Sequence, residues 1–381
     1  MRVAIVGPYP VDGKIDKING GVQAVIINMV KGLLTIKDLD IHIITANFSV
    51  EGCREYSLDG ITIHAVPLDR HFGNIRLYRN TRKEICVKLK RIQPDIVHSH
   101  MFGYYTLAVL ESISKKVVVS THGVSYRYWD PVPDIVEKIR RYFQDYIYDR
   151  CERMAKYLIV NSPFVEKLLL AYKDKKIYRL NNPISDMFFE QGPDIEEENR
   201  LLFAGNICEG KGIISLFYSI DRIKRTLRDI RLFIAGRIIE PGYYRKLIRF
   251  IKERGLERHI FFLGELNETD LKEEYRKASI FVFPSLQDVA PMAILQAMAM
   301  GKAVIGTDVG GIPYIIDHGT NGILVKKDDH DSLTDNIVNL VHNKGLRKTL
   351  GLNAMKKISK EYRIDTVTAG LIRIYREVID G

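Results

Sequence analysis

Short apolar runs recur along the whole chain, each followed by a longer stretch with helical periodicity. In the first half they span residues 3–6, 41–45, 61–66, 96–100, 117–120, 158–161 and 177–180. In the second half they span residues 201–204, 232–235, 260–263, 280–283, 303–306 and 323–325. The runs are continuous, with no apolar–polar alternation, as strands covered on both faces must be. Such strands alternating with helices predict parallel sheets with crossover connections. Two series predict an α/β protein of two doubly wound, Rossmann-like halves. Asn181-Asn182-Pro183 ends the first series, and the polar, acidic residues 191–199 read as a linker. The expected domains are 1–185 and 197–365. An amphipathic helix over 366–381, with Ile372, Tyr375 and Ile379 on one face, is assigned to the first.

At 381 residues the chain exceeds one ordinary core, which agrees with two domains. No run reaches the apolar length a bilayer-spanning helix needs. Met1 leads straight into a strand-like run, so no secretory leader is expected. Cys53, Cys86, Cys151 and Cys208 are scattered and form no Cys-x-x-Cys pair. A disulfide framework or a cysteine zinc site is therefore not expected, and a cytoplasmic location is. Charge is lopsided: residues 1–182 hold 28 Lys+Arg against 19 Asp+Glu, whereas residues 183–381 hold 29 against 28. A basic first half fits an anionic partner, and equally a soluble basic surface.

Doubly wound sheets present ligand loops at the carboxyl ends of their strands. In the first half Asn19-Gly20-Gly21 opens a helix, and adjacent glycines let a phosphate approach backbone N–H groups. Alone, such a pair marks a plain turn at least as often. In the second half the first strand runs into a glycine-rich loop, Gly205-Asn206-Ile207-Cys208-Glu209-Gly210-Lys211-Gly212, with a lysine near the next helix. A compact ammonium there suits a diphosphate, although the glycine spacing is neither that of a P-loop nor that of a dinucleotide fingerprint. Residues 284–301 carry the richest signal. The run ending at Phe283 stops at Pro284-Ser285, a loop bearing Asp288 follows, and a helix is expected to open at Pro291 with Gln296 inside it.

Taken in order, these residues resemble glycosyltransferase family 4, the retaining sugar-nucleotide transferases of the GT-B fold. The resemblance rests on Gly20-Gly21, Pro94-Asp95-Ile96-Val97-His98-Ser99-His100, Thr121-His122-Gly123 and Asn182-Pro183. It continues through Gly205 with Lys211-Gly212, Pro284-Ser285-Leu286, Ala297-Met298-Ala299 and Gly310-Gly311-Ile312-Pro313. It covers essentially the whole chain. It implies two Rossmann-like domains facing across a cleft, with the donor mostly on the second and the acceptor on the first. It also implies that Lys211 meets the donor diphosphate and that Asp288 contacts the transferring sugar. By the same resemblance, Gln296 bonds the ribose and His122 bonds the sugar near the reaction centre. Gly20, Gly21, Gly205, Ala290, Met292 and Ala293 would offer backbone donors, and the base would lie near Leu266.

The chain departs from the family pattern at four places, the mildest being Asp288, which keeps the charge of the family's first Glu and is one methylene shorter. Asn206 stands where the family has a second, arginine cation, and Arg237 is a candidate substitute. Gln296 replaces the second acid of a Glu-x7-Glu pair, which exchanges a charged double acceptor for an amide. Pro291 removes one N–H from the loop between that pair.

His98 and His100 share one strand face by period two, but no third zinc ligand is evident, so no metal is expected. No serine–histidine–acid constellation or other enzyme nucleophile is evident. The resemblance implies retention by front-face attack, with the leaving diphosphate deprotonating the acceptor hydroxyl and no cofactor or divalent metal. Residues 70–91 and 138–156 interleave basic with aromatic and aliphatic side chains. They suit either an anionic membrane surface or ordinary packing on the sheet; no nucleic-acid motif appears. Two functions stay open: an active transferase acting on a glycan, lipid-linked or other hydroxyl acceptor, or a catalytically weakened relative that binds nucleotide or glycan without transfer. A sugar-nucleotide epimerase fits the motif order less well.

Overall fold

The computed structural model describes residues 1–11, 20–69, 76–113, 116–123, 135–169, 174–190, 192–193 and 195–381. The chain divides into two compact units, Met1–Pro183 with Ile364–Gly381, and Ile184–Arg363.

The strands of the first unit are β1 (Arg2–Val6), β2 (Asp40–Asn47), β3 (Arg54–Leu58), β4 (Ile61–Pro67), β5 (Ile96–His100), β6 (Val117–Thr121), β7 (Tyr157–Val160) and β8 (Lys176–Arg179). They form one sheet in the order β3-β4-β2-β1-β5-β6-β7-β8. All described neighbours are parallel except β3, which runs antiparallel to β4. The order reverses between β1 and β5, which makes that the switch point of a doubly wound sheet. β1 is buried along nearly its whole length, as its apolar run requires, and β5 and β6 are buried throughout although they end in His98-Ser99-His100 and Ser120-Thr121.

β3 is absent from the sequence expectation for a physical reason. Its residues, Arg-Glu-Tyr-Ser-Leu, lie on an exposed sheet edge and carry no apolar run. The signal that finds it is Asp59-Gly60, both with positive φ, closing a two-residue hairpin between Leu58 and Ile61.

The carboxyl-terminal helix Ile364–Asp380 belongs to this unit. It buries Val367, Thr368, Leu371, Ile372, Tyr375 and Val378 and packs on the helix Gly21–Leu34 and on β5 and β6. Val378, not Ile379, completes the buried stripe.

The second unit holds β9 (Arg200–Ala204), β10 (Arg231–Ala235), β11 (Ile260–Gly264), β12 (Ile280–Phe283), β13 (Ala303–Thr307) and β14 (Ile323–Val325). These six form a wholly parallel sheet in the order β11-β10-β9-β12-β13-β14. This is again the doubly wound order, with its reversal between β9 and β12. The chain enters and leaves the unit side by side: Ile184 N donates to Tyr362 O at 2.9 Å. Phe188, in the 3-10 turn Asp186–Phe189, is fully buried in this unit's core; residues 191 and 194 of the expected linker lie outside the described residues.

Candidate active site

In the second unit two loops meet at the carboxyl ends of β9 and β12, the strands flanking the reversal. The loop after β9 tightens into a short 3-10 turn, Glu209–Lys211, before the helix Ile213–Ile223. The loop after β12 is stitched to it. Leu286 N donates to Gly210 O at 3.0 Å, and Ser285 Oγ reaches Gly210 O at 3.1 Å. Two glycines make this close fit possible. A β-carbon on Gly212 (φ +62°) would lie 2.0 Å from Pro284 O, and one on Gly310 (φ +54°) would lie 1.9 Å from Asp288 O.

The result is a direct ion pair between Lys211 Nζ and Asp288 Oδ2. The two side chains are only 24% and 14% exposed, so the pair is largely withdrawn from water. Asp288 is held on its other side as well. Its Oδ1 accepts from Val289 N at 3.0 Å, and its carbonyl accepts from Gly311 N at 2.9 Å. The ammonium also lies 5.2 Å from the Phe283 ring centroid, within cation–π range. A lysine beside a carboxylate at a switch point is chemically a mount for an anionic ligand whose neutral part needs a hydrogen-bond acceptor.

The helix expected at Pro291 begins one residue later. Pro291 is its N-cap, and the helix runs Met292–Ala299. The N–H groups of Met292 and Ala293 fall in the first turn, where no intrahelical acceptor exists. Gln296 is buried, and its Oε1 accepts from the Tyr275 hydroxyl at 3.2 Å; Tyr275 also lies 3.1 Å from Ala293 O. Burial pushes the Tyr275 phenol well above its ordinary value, so it stays a donor. This tie of Gln296 to Tyr275 escapes the sequence because 21 residues separate the partners. Asn206 lies beside the loop after β10, where Ile207 N donates to Arg237 O at 2.8 Å; the Arg237 side chain is exposed. Leu266, two residues beyond β11, packs half-buried against the core.

Gly20, Gly21 and His122 belong to the other unit. Gly20 adopts φ +97° and caps the helix Gly21–Leu34; Asn19 lies outside the described residues. His122 directly follows β6, and its Nε2 lies 2.8 Å from Nδ1 of His100 at the end of β5. His98 stacks on His100 with ring centroids 4.2 Å apart. Its ring nitrogens lie 2.7 Å from the Tyr375 hydroxyl and 2.7 Å from Ser120 Oγ, so neither is left for a metal. Burial lowers the His98 imidazole to about 3 and that of His122 to about 4, and His100 is lowered too. All three rings are neutral at ordinary pH. Among the described residues no group of three or more His, Cys, Asp or Glu is placed to hold a metal.

The two basic stretches part company. Arg70, Phe72 and Ile75 lie outside the described residues. The helix Arg79–Ile92 buries Ile85, Leu89 and Ile92. Three of its cations pair within the unit: Arg82 with Glu111, and Lys88 and Arg91 with Glu55. The helix Ile135–Met154 instead exposes Ile139, Tyr142 and Tyr146 at helical spacing. All four cysteines are free. Among the described residues no helix is long and apolar enough to cross a membrane.

Comparison with known proteins agrees over nearly the whole chain. The family model for Glycosyl transferases group 1 matches residues 185–357, and that for Glycosyltransferase Family 4 matches residues 19–186. An uncharacterized glycosyltransferase of Methanocaldococcus jannaschii is 28% identical over 95% of both chains. Among solved structures, a sucrose-phosphate synthase of Thermosynechococcus elongatus superposes with a TM-score of 0.82, covering 100% of this chain and 99% of its own at 16% identity. An Anabaena protein in complex with UDP-glucose superposes with a TM-score of 0.74, covering 99% and 100% at 15% identity.

Proposed function

The chain belongs to the family 4 glycosyltransferases, and we propose that it moves a hexose from a nucleoside-diphosphate sugar to a hydroxyl acceptor with retention at the anomeric carbon. The observation that carries this reading is the Lys211–Asp288 pair, held at the switch point of the second sheet. Lys211 faces the diphosphate and Asp288 the sugar. The first-turn N–H groups of Met292 and Ala293, with Ala290, add fixed partial positive charge where the leaving diphosphate gains negative charge. His122 is the first unit's candidate for a hydrogen bond to the sugar. The donor class is the one in the Anabaena complex.

The chemistry needs no enzyme nucleophile. The bond from the anomeric carbon to the phosphate oxygen breaks, and the acceptor oxygen bonds the same face. The acceptor proton passes to the departing phosphate oxygen. The diphosphate charge is met by Lys211 and the N–H groups, so the reaction runs without a divalent metal.

Asn206 and Gln296 favour a second reading, a protein that binds nucleotide or glycan without transfer. Each gives up a charge that the family uses, and Gln296 already spends its carbonyl on Tyr275. For an active enzyme, the exposed Ile139, Tyr142 and Tyr146 suit docking on an anionic membrane at its cytoplasmic face, beside a lipid-linked acceptor.

The test is incubation with a panel of sugar nucleotides and glycan or lipid acceptors in the presence of EDTA, reading nucleotide release and the product's anomeric configuration by NMR. Consumption of one donor with retention is expected. Inversion or a metal requirement would overturn the mechanism, and tight binding without consumption would replace it with the second reading.

A further inference from the structure

The reading above gives His122 to the sugar, but a neutral imidazole donates from one nitrogen and accepts at the other. Which nitrogen does which is set by its partner. Among the described residues, His122 Nε2 has one partner, His100 Nδ1, at 2.8 Å. Among the described residues, His100 Nε2 and His122 Nδ1 are both buried and have no hydrogen-bond partner. Only one proton can occupy the shared bond. Two arrangements follow. Either His100 Nδ1–H donates, leaving a bare Nε2 on His100 and an N–H at His122 Nδ1, or the roles reverse and the orphaned N–H lies on His100.

Depth decides between them. His100 is fully buried, whereas His122 is partly exposed at the strand end. An orphaned buried N–H is rarer in folded proteins than an under-used acceptor. The unmatched N–H therefore belongs on His122, the less enclosed of the two rings at the carboxyl end of its strand, and the bare nitrogen belongs on His100. The His100 ring has little freedom to do otherwise. His98 stacks on it and is itself fixed by Tyr375 and Ser120. On the neighbouring strand end Gly7 leaves it room, since a β-carbon there would lie 3.2 Å from His100 Cβ.

We infer that His100 is a positioning residue. It holds His122 in the Nδ1–H tautomer, so that His122 presents a hydrogen-bond donor to an oxygen of the transferring sugar. This rests on the reading of His122 as a sugar contact, and it adds the tautomer and the residue that sets it.

The experiment is 15N NMR of histidine-labelled protein without substrate, on wild type, His100→Phe and His100→Asn, alongside donor kinetics. Phe keeps the ring and loses both nitrogens, whereas the Asn amide keeps a donor near the place of Nδ1. The expected result is Nδ1–H on His122 in the wild type and its loss in His100→Phe. Donor kcat/KM should fall about ten- to a hundredfold, mainly in kcat, with both readouts restored in His100→Asn. An Nε2–H tautomer in the wild type, or an unchanged His122 spectrum in His100→Phe, overturns the proposal. If His100→Phe fails to fold, the wild-type spectrum and His100→Asn still decide. The spectra need no turnover, so a chain that transfers nothing would sink the proposed function while this result stood or fell separately.

Discussion

Asp288→Asn separates the two halves of the proposed chemistry. In the unliganded protein the Lys211 ammonium is committed to the Asp288 carboxylate, so an arriving diphosphate must displace that carboxylate. Fully exposed ion pairs contribute about 0–1 kcal/mol, and hydrogen bonds to charged groups about 1.5–3 kcal/mol. A pair whose side chains are 24% and 14% exposed falls between, at about 1–2 kcal/mol. Asparagine keeps the shape of the loop, because Gly311 N still finds the carbonyl of residue 288, and it removes the competing charge. The nucleoside diphosphate, without its sugar, should therefore bind about 5- to 30-fold more tightly. Turnover should fall about 100-fold or more, because the group assigned to the sugar is gone. Isothermal titration with a nucleoside diphosphate and a parallel donor-consumption assay read both effects. Diphosphate affinity that is unchanged, or that falls as it would on loss of Lys211, refutes the reasoning: Asp288 would then serve to orient the lysine for the phosphate, not compete with it.

Three further outcomes follow from the same structure. Stability should fall on acidification from about pH 6.5 toward pH 4. The unfolded chain binds protons at His98 and His122 that the folded chain refuses, so stability rises with pH through that window. His122 alone is worth about 3 kcal/mol, and urea unfolding of wild type against His122→Asn, with a shallower slope expected in the variant, checks this. Gly310→Ala forces a β-carbon into Asp288 O at a left-handed position, and should cost about 2 kcal/mol or more. It should also lower donor turnover, and thermal melting together with donor kinetics reads both. Replacing Ile139, Tyr142 and Tyr146 with serine should abolish flotation with anionic vesicles and leave flotation with neutral vesicles unchanged at its low level; undiminished flotation removes that face from any membrane contact.

The sequence was most readable in the second sheet, where each strand coincides with a predicted run: β12 and β13 are buried throughout, and β10 and β11, although partly exposed, still carry unbroken apolar runs. It was least readable at the edge, where β3 carries Arg54, Glu55 and Ser57 and is betrayed only by the Asp59-Gly60 turn. Within the site, spacing placed Lys211 and Asp288 on the loops after β9 and β12. Their contact depends on the strand order, which puts β12 beside β9, and no local pattern encodes that. The same holds for Gln296 with Tyr275 and for His98 with Tyr375, partners 277 residues apart. The period-two pair His98 and His100 signalled a shared face, and only the parallel β5–β6 register brought His122 within reach of it.

The claim on which all of this depends is that the Lys211 ammonium receives the donor's phosphates. Titrating wild type and Lys211→Ala with a nucleoside diphosphate and with the matching phosphate-free nucleoside tests it most directly. The account predicts a diphosphate affinity about ten- to a hundredfold weaker in the variant and an unchanged nucleoside affinity. Equal diphosphate affinity in the two proteins would contradict it.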